Sequence, residues 1–300
     1  MQNEVNEVKI SGRFGNQIFQ LCAALYMEKS NGKQILLDAR GTRPSNLILL
    51  WKSGLIRSEE LRINYYQKKF LAGAIWAKGI EIIQHLMEFG SFRIQKFIKF
   101  RLFELPYKKH LEYLDDRDWR LLLTQENEVY GYFQDWKLVE EVWCSLKIRL
   151  AASNLVDENL RLDKTALLHV RLGDYLHHTS IGILNETYYL DALKEFPYDF
   201  KFYVVTDDEV HFTKLFQLLT KKVLIDSRTH DDFETFKLLL NSTNLIVANS
   251  TFSYWAGIFS LMINQNSKVI APKPWRNDNS KDEILSPLFH LIFRGKSFPN

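Results

Sequence analysis

From about residue 164 onward, short apolar segments alternate with longer amphipathic segments. The strand-like segments are TALLHVR, KFYVVTD, KKVLID, NLIVANS and KVIAP, and the helix-like segments between them include NETYYLDALKEF and TFSYWAGIFSLMI. Strands that are apolar along most of their length are typical of a parallel sheet that helices cover on both faces. This alternation therefore predicts a doubly wound α/β domain in the second half of the chain.

The first 40 residues have the same order of elements. We predict a strand over residues 8–10, a helix from about Asn16 to Ser30 that ends at Gly32, and a second strand over residues 34–38. A strand, a glycine-containing loop, a helix and a strand form a βαβ unit. The first half is therefore predicted to contain a second Rossmann-like domain.

A polar stretch near residues 150–163 is the best candidate for the boundary between the two halves. We predict an N-terminal domain over residues 1–155, which includes a helical insertion, and a C-terminal domain over residues 156–300.

Charge and cysteine content exclude several classes of protein. The chain of 300 residues has a formal net charge of +3, which suits an anionic small molecule or a membrane surface but is too small for a nucleic-acid-binding footprint. Cys22 and Cys144 stand in no ligand cluster, so we predict neither a metal site nor a disulfide. Two thiols in a chain of this length fit a reducing compartment. No signal peptide and no run of 18 apolar residues is visible, so we expect a cytoplasmic protein.

Polar residues follow nearly every predicted strand, where open α/β sheets bind their ligands. HVRLGDY places His169 and Arg171 on one face of a strand, and Asp174 three residues further on. A guanidinium at this edge can bind phosphate oxygens through two N–H groups, and Asp174 can orient it. The alternative is a buried Arg171–Asp174 pair that only closes a turn. Asp207 follows the next strand and could bind a base or a ribose.

The segment NSTFSYW lies at another predicted junction of strand and helix and includes Asn249, Ser250, Thr251 and Phe252. Ser250 or Thr251 can cap the helix, and the N-terminus of a helix can also bind an anion. The two interpretations are compatible.

Gly12 and Gly15 flank Arg13 and Phe14 after the first predicted strand, and Asn16 follows. Glycine lets the backbone come close to a ligand or to a facing helix. The spacing matches neither the dinucleotide fingerprint GxGxxG, which a Rossmann oxidoreductase requires, nor the phosphate-binding P-loop. These junctions together predict a nucleotide or phosphate ligand.

Six segments resemble the successive motifs of bacterial α-1,2-fucosyltransferases, which form glycosyltransferase family 11. They are GRFGNQIFQ, GYFQDWKLVEEVW, HVRLGDY, FYVVTDD, NLIVANSTFSYWAGIF and KVIAPKPW, in the family's order. GRFGNQ is also similar to the protein O-fucosyltransferases of the same superfamily.

The resemblance implies a GT-B-like fold, in which two Rossmann-like domains face a central cleft. It implies an inverting transfer of L-fucose from GDP-β-L-fucose to the 2-hydroxyl of a galactoside, as in O-antigen or oligosaccharide biosynthesis, without a metal or another cofactor. The partners would be the nucleotide sugar and a galactose-terminated glycan. In this reading the C-terminal domain binds the donor and the N-terminal domain lies on the acceptor side.

Candidate roles follow residue by residue from the matching motifs. We assign catalytic roles to Arg171, Asn16 and Asp174. Donor-binding roles are assigned to Gly12, Arg13, Phe14, Gly15, His169, Asp207, Asn249, Ser250, Thr251 and Phe252.

This sequence departs from the family where the basic motif usually has two adjacent arginines, because the second position is Leu172. The missing cation could come from Arg13, Arg228, Lys273 or Arg276. The general base also stays open between Asp174, Glu186 and late loss of the proton to the phosphate itself.

Three alternatives concern the partners. The basic and apolar segment over residues 93–109 could be a packed helix with a solvated face, or an interfacial helix that touches anionic lipid at the inner face of the plasma membrane, as a lipid-linked acceptor would require. The donor could be another nucleotide deoxysugar. The protein could also bind a nucleotide sugar without catalysis.

Overall fold

The computed structural model describes residues 5–64, 67–68, 119–161, 164–177, 181–225, 231–277 and 282–295. The chain divides into two compact units, one comprising residues 1–133 and 138–146 and the other residues 134–137 and 147–300. The basic segment over residues 93–109, Arg228 and part of the predicted N-terminal insertion lie outside the described residues.

The first unit is built on a parallel sheet with the strand order β3-β2-β1-β4. Its strands are β1 (Asn6–Lys9), β2 (Ile35–Asp38), β3 (Leu61–Arg62) and β4 (Glu128–Tyr130), and its helices include α1 (Phe14–Asn31), α2 (Pro44–Ser53) and α3 (Trp119–Gln125). The predicted first helix is confirmed and is two residues longer at its start. Gly32 ends it at a φ of 70°, with its N–H donating to the Glu28 carbonyl over 2.9 Å, because glycine adopts the left-handed conformation at little cost.

Helices α4 (Trp136–Glu141) and α5 (Trp143–Ala151) lie in the segment where the chain passes between the two units, and each helix has residues in both. The second unit has a six-stranded parallel sheet with the order β10-β9-β8-β5-β6-β7. Its strands are β5 (Thr165–Val170), β6 (Lys201–Thr206), β7 (Leu224–Ile225), β8 (Asn244–Ile246), β9 (Lys268–Lys273) and β10 (His290–Phe293). Its helices include α6 (Glu186–Leu193), α7 (Glu209–Leu215), α8 (Asp232–Asn241) and α9 (Thr251–Ile263).

The hydrophobic core of the second unit explains why its central strands are apolar. All six residues of β5 are buried, and Tyr188, Tyr189, Phe212 and Phe216 from the covering helices pack in the same cluster. The Tyr188 hydroxyl donates to the Val247 carbonyl over 2.7 Å, which satisfies a backbone group where β8 has ended. The predicted doubly wound α/β class is confirmed, with one Rossmann-like parallel sheet in each unit.

Two edge strands differ from the sequence prediction. Among the described residues of the segment KKVLID, Leu224–Ile225 form the strand, and Lys221 still belongs to a 3-10 turn over residues 219–221. Two residue pairs join β7 to β6. Strand β10 is absent from the sequence prediction. It is a segment of four residues, HLIF, whose first and last residues are exposed. It nevertheless pairs with β9 in parallel over four residues.

Candidate active site

The strand order of the second unit defines where a ligand would bind. Counted from β5 as the first strand, the sheet reads 6-5-4-1-2-3, which is the Rossmann order. The order reverses between β5 and β8, and ligands of such sheets bind outside the carboxyl ends of the strands at that switch point. Arg171 follows β5 directly, and the segment Asn249–Thr251 follows β8. The structure therefore brings together two of the predicted motifs at one edge.

Arg171 lies at this edge between two carboxylates. Its Nη2 is 2.6 Å from Oδ1 of Asp174, and its Nη1 is 2.8 Å from Oδ2 of Asp207. The guanidinium carbon lies 5.5 Å from the centre of the Tyr175 ring. The side chain is 19% exposed, so it is neither in the hydrophobic interior nor free in solvent. The guanidinium donates a hydrogen bond to Asp174 and forms an ion pair with Asp207, and these two contacts do not use all five of its N–H donors.

Asp207 holds both the guanidinium and the turn that carries it. Its Oδ1 accepts the backbone N–H of Leu172 over 2.8 Å, while its Oδ2 binds Arg171. Gly173 has a φ of +21°, and a Cβ at this position would lie 2.4 Å from Oδ2 of Asp207. Only glycine therefore allows this approach of the carboxylate. The contacts of Asp207 are those of a residue that orients Arg171, and its predicted contact with a base or ribose stays a prediction.

Leu172 occupies the position where the family usually has a second arginine. Its side chain is fully buried in the hydrophobic cluster of the second unit, with Val170 and Ile183. A cation at this position would have to enter that cluster, so position 172 supplies no second charge at this edge.

His169 is buried two residues before Arg171 and is neutral. Burial, and to a smaller extent the charge of Arg171, lowers the pKa of the His169 imidazole to about 3. Its ring lies 5.7 Å from the ring of Phe252. Nδ1 of His169 is buried and has no hydrogen-bond partner among the described residues. The contact with Phe252 links the end of β5 to the first turn of α9.

The junction after β8 caps a helix, as one of the two interpretations predicts. Ser250 is the N-cap of α9, and its hydroxyl accepts the N–H of Phe252 over 3.4 Å. Thr251 begins the helix and is half-buried. Nδ2 of Asn249 donates to the carbonyls of Ile181 and Gly182 over 3.1 and 2.9 Å. The amide of Asn249 thus holds a neighbouring loop, and its predicted contact with the donor stays a prediction.

The glycine-containing loop lies in the first unit and is fixed by buried amides. Gly12 has a φ of 73°, and a Cβ there would lie 2.8 Å from Nδ2 of Asn16 and 3.3 Å from the Tyr132 ring. Nε2 of Gln17 donates to the Gly12 carbonyl, and Oε1 of Gln20 accepts the Ser11 N–H, each over 3.0 Å. These hydrogen bonds fix the loop at the carboxyl end of β1. The strand order reverses between β1 and β4, so this loop lies at the switch point of the first unit.

The predicted residues of this loop have different exposures. Arg13 is exposed and Asn16 is half-buried, so both present polar groups at the surface of the first unit. Phe14 and Gly15 are buried at the start of α1. Direct contact of a ligand with Phe14 would require this core position to open, and its predicted donor-binding role stays untested.

Two other acidic and basic candidates are now placed. Oε1 of Glu186 accepts the N–H groups of Leu218 and Leu219 over 2.6 and 2.7 Å, so this carboxylate joins α6 to a neighbouring turn. Lys273 is the last residue of β9 and is exposed. Lys273 forms no ion pair with another residue of the described part of the chain.

An apolar cavity of about 520 Å³ lies at the opposite end of the same sheet and is not part of this site. It is lined by residues around the start of β6, among them Phe196, Tyr198, Phe200 and Phe202.

Where the structure describes the chain, no three His, Cys, Asp or Glu side chains come together as a metal-binding group. Among the described helices, none is long and apolar enough to cross a membrane.

Sequence reasoning missed Arg294, Gln17 and Gln20. Arg294 follows β10 and is 1% exposed, and both glutamines are fully buried. A single arginine after an unpredicted strand carries no signal in the sequence. The two glutamines lie three residues apart on the apolar face of α1, and this placement of amides among apolar residues was a usable signal.

The fold and this edge define a doubly wound α/β protein with a cationic residue at the switch point of its second sheet. The chain belongs to glycosyltransferase family 11, because the family's model, described as glycosyl transferase family 11, matches residues 109–287. The family inferred from the six motifs is thereby confirmed, and the matched range contains the Arg171 turn and the α9 junction.

Comparison with solved structures finds distant similarities. NodZ α-1,6-fucosyltransferase co-crystallised with GDP has 13% identity and a TM-score of 0.39, over 84% of this chain and 91% of that one. A crystal structure of NodZ from Bradyrhizobium gives the same identity and TM-score, over 84% and 92%. E. coli heptosyltransferase WaaC with ADP has 9% identity and a TM-score of 0.44, over 89% and 87%. No protein of curated function matches the chain by sequence.

Proposed function

We propose that this family 11 enzyme transfers L-fucose from GDP-β-L-fucose to the 2-hydroxyl of a galactoside, with inversion at the sugar carbon and without a metal. The observation that carries the proposal is the fixed guanidinium of Arg171 at the switch point of the second sheet. The family resemblance suggests the donor and the linkage, and the geometry supports the role proposed for Arg171.

Cleavage of the bond between sugar and diphosphate leaves negative charge on the departing diphosphate. Donors that are already oriented toward this charge stabilise the transition state without reorganising. Arg171 is held in one orientation in advance, because Asp174 and Asp207 each bind one of its terminal nitrogens. We assign the leaving diphosphate to Arg171, with help from the first N–H groups of α9.

The two carboxylates outweigh the single guanidinium in formal charge. A diphosphate at this edge therefore requires a second cation close by. We propose Lys273, because it ends β9, two strands from β5, at a separation of about 10 Å from the spacing of parallel strands. Its exposed ammonium can reach toward the N-terminus of α9 without breaking an ion pair of the described residues.

The acceptor hydroxyl must also lose a proton. Glu186 is the poorer candidate, because its carboxylate already binds two backbone N–H groups. The Asp174 side chain is 39% exposed beside Arg171, so we assign Asp174 to the proton as well as to the orientation of the guanidinium. Asn16 and Arg13 are proposed to act from the glycine loop of the first unit, which lies on the acceptor side in this proposal.

The test is a mass-spectrometric screen in which the purified protein meets GDP-fucose and other nucleotide sugars, each with β-galactosides as acceptors. We expect a fucosylated product with GDP-fucose, and linkage analysis should place the fucose on the 2-hydroxyl. Product from a different donor alone would overturn the donor. Binding of the donor without any product would support a nucleotide-sugar-binding protein instead.

Metal independence has its own test. Transfer in excess chelator should continue at the rate measured without chelator. Complete loss of transfer that Mn²⁺ restores would contradict this part of the proposal.

A further inference from the structure

Arg294 is a fully buried cation beyond the range that matches the family model. It follows β10, and its residue is 1% exposed. Burial lowers the pKa of its guanidinium. Taking a guanidinium out of water is costly unless its N–H groups find good acceptors. The hydrogen-bond acceptors of Arg294 therefore indicate the role of this residue.

The guanidinium binds backbone carbonyls from two segments. Nη1 of Arg294 donates to the Trp275 carbonyl over 3.0 Å. Nη2 donates to the carbonyls of Ile181 and Gly182 over 3.1 and 3.4 Å. A planar fork presents donors on separate nitrogens to such separated acceptors, whereas an ammonium offers its three donors from a single atom.

The carbonyls of Ile181 and Gly182 also accept hydrogen bonds from Asn249. Nδ2 of Asn249 lies 3.1 Å from the Ile181 carbonyl oxygen and 2.9 Å from that of Gly182. Each carbonyl has two lone pairs and can accept both donors. Side chains from the ends of β10 and β8 thus converge on one dipeptide.

The backbone beyond Arg294 packs against the same loop. Gly295 has a φ of 70°, and a Cβ there would lie 2.5 Å from Nδ2 of Asn185, the N-cap of α6. The segment from Ile181 to Asn185 is therefore held at both of its ends by residues distant in sequence.

This loop leads directly into α6, which contacts the end of β5, because the Tyr189 hydroxyl donates to the His169 carbonyl over 3.3 Å. Along the chain, Ile181 comes ten residues after Arg171 and four before Asn185. Asn249 directly precedes Ser250, the N-cap of α9. A clamp on residues 181–182 therefore links the residue before the N-terminus of α9 to the loop that leads into α6, and α6 in turn contacts the end of β5.

We propose that Arg294 and Asn249 form a clamp on Ile181 and Gly182, and that Arg294 is a positioning residue for donor binding. Arg294 does not touch the donor in this proposal, because its side chain is buried. It fixes the loop that leads into α6, and so the spacing between the end of β5, which Arg171 follows, and the N-terminus of α9. The functional part of this inference rests on the proposed function.

The test compares Arg294→Lys with a control variant at the other end of the unit, in which another buried side chain that donates to backbone carbonyls is changed. Asn241→Ala serves as the control, because this buried amide binds the carbonyls of Leu155 and Lys237 and does not touch the loop. Thermal denaturation first verifies that both variants fold, and assays are run at temperatures equally far below each melting midpoint.

Two measurements then separate positioning from general stability. Hydrogen–deuterium exchange of peptides covering residues 181–193 should accelerate about tenfold or more in Arg294→Lys, the effect of losing a hydrogen bond from a charged donor. The Kd of GDP, measured by calorimetry, should rise about fivefold or more in the same variant. Asn241→Ala should change neither by more than about twofold.

Unchanged exchange in Arg294→Lys would overturn the clamp. Faster exchange with an unchanged Kd for GDP would overturn the positioning role. A wild-type protein that does not bind GDP would contradict the proposed donor, whereas the exchange comparison would still test the clamp.

Discussion

The carboxylate of Asp207 holds both the guanidinium of Arg171 and the backbone of the turn that follows Arg171. One carboxylate oxygen lies 2.8 Å from Nη1 of Arg171, and the other accepts the N–H of Leu172 over the same distance. A residue at the end of β6 thus sets both the direction of the guanidinium and the path of the chain after β5. The separate contributions of charge and turn can be measured with two substitutions.

Asp207→Asn should keep the turn and remove the charge. The amide oxygen can still accept the Leu172 N–H, whereas the ion pair with Arg171 is lost. We expect kcat to fall about tenfold, because an oriented charge becomes mobile, with a melting temperature close to that of the wild type. Steady-state kinetics and thermal denaturation check this. A kcat within about twofold of the wild type would show that Arg171 is oriented without Asp207.

Gly173→Ala should disturb the same contact from the other side. The new Cβ would lie 2.4 Å from Oδ2 of Asp207, so the carboxylate must move away from Arg171. We expect a fall in kcat at least as large as in Asp207→Asn, together with a lower melting temperature. Gly32→Ala is the matched control, because it has a φ of 70° and nothing lies within 4 Å of its added Cβ. It should lose about 1 kcal/mol of stability and keep its activity. Equal activity losses in both variants would contradict the specific role of Gly173.

His169 should make the protein less stable in acid. Its folded-state pKa is lowered to about 3, while the unfolded chain binds a proton near pH 6.5. Between these values the unfolded state holds more protons, so the free energy of unfolding falls with decreasing pH, by up to about 1.4 kcal/mol per pH unit. This contribution is fully present above about pH 6.5 and is lost as pH falls toward 3.

His169→Phe removes the titrating group and should flatten the profile in that window. Urea denaturation of both proteins at pH 4.5, 5.5 and 7.5 measures the difference. Parallel profiles for the two proteins would contradict a neutral buried His169.

Lys273→Met should weaken donor binding if Lys273 supplies the second cation. We expect the KM for the donor to rise about tenfold, the scale of one charge-assisted hydrogen bond, and the salt dependence of KM to become weaker. Lys222→Met is the control, because this exposed lysine lines the apolar cavity away from the site. Equal KM values for the two variants would redirect the search to Arg13, Arg228 and Arg276.

Much of this fold is readable from the sequence, because its signals are local. The apolar run over residues 165–170 and the Asn185 and Ser250 caps each predict their element from neighbouring residues. The two-residue strand β7 and the edge strand β10 were misjudged because pairing with a neighbour, not the local pattern, makes them strands.

From the sequence, the site can be predicted only as a group of residues that follow the carboxyl ends of strands. The sequence indicates that Arg171 and Asp174 belong together, since they are three residues apart. It does not indicate that Asp207 completes the pair, or that Leu172 faces the core. Those facts depend on which strands are neighbours, and the clamp by Arg294 depends on a strand that the pattern does not reveal.

The most direct test of the central role of Arg171 is the rate of fucose transfer by Arg171→Ala with saturating GDP-fucose and a galactoside. Arg161→Ala is the control, since that residue pairs with Glu158 in another part of the unit. We predict that Arg171→Ala lowers kcat by about a hundredfold or more, as for one lost preorganised charge contact, while Arg161→Ala stays near the wild type. A folded Arg171→Ala protein that transfers fucose at close to the wild-type rate would contradict the account.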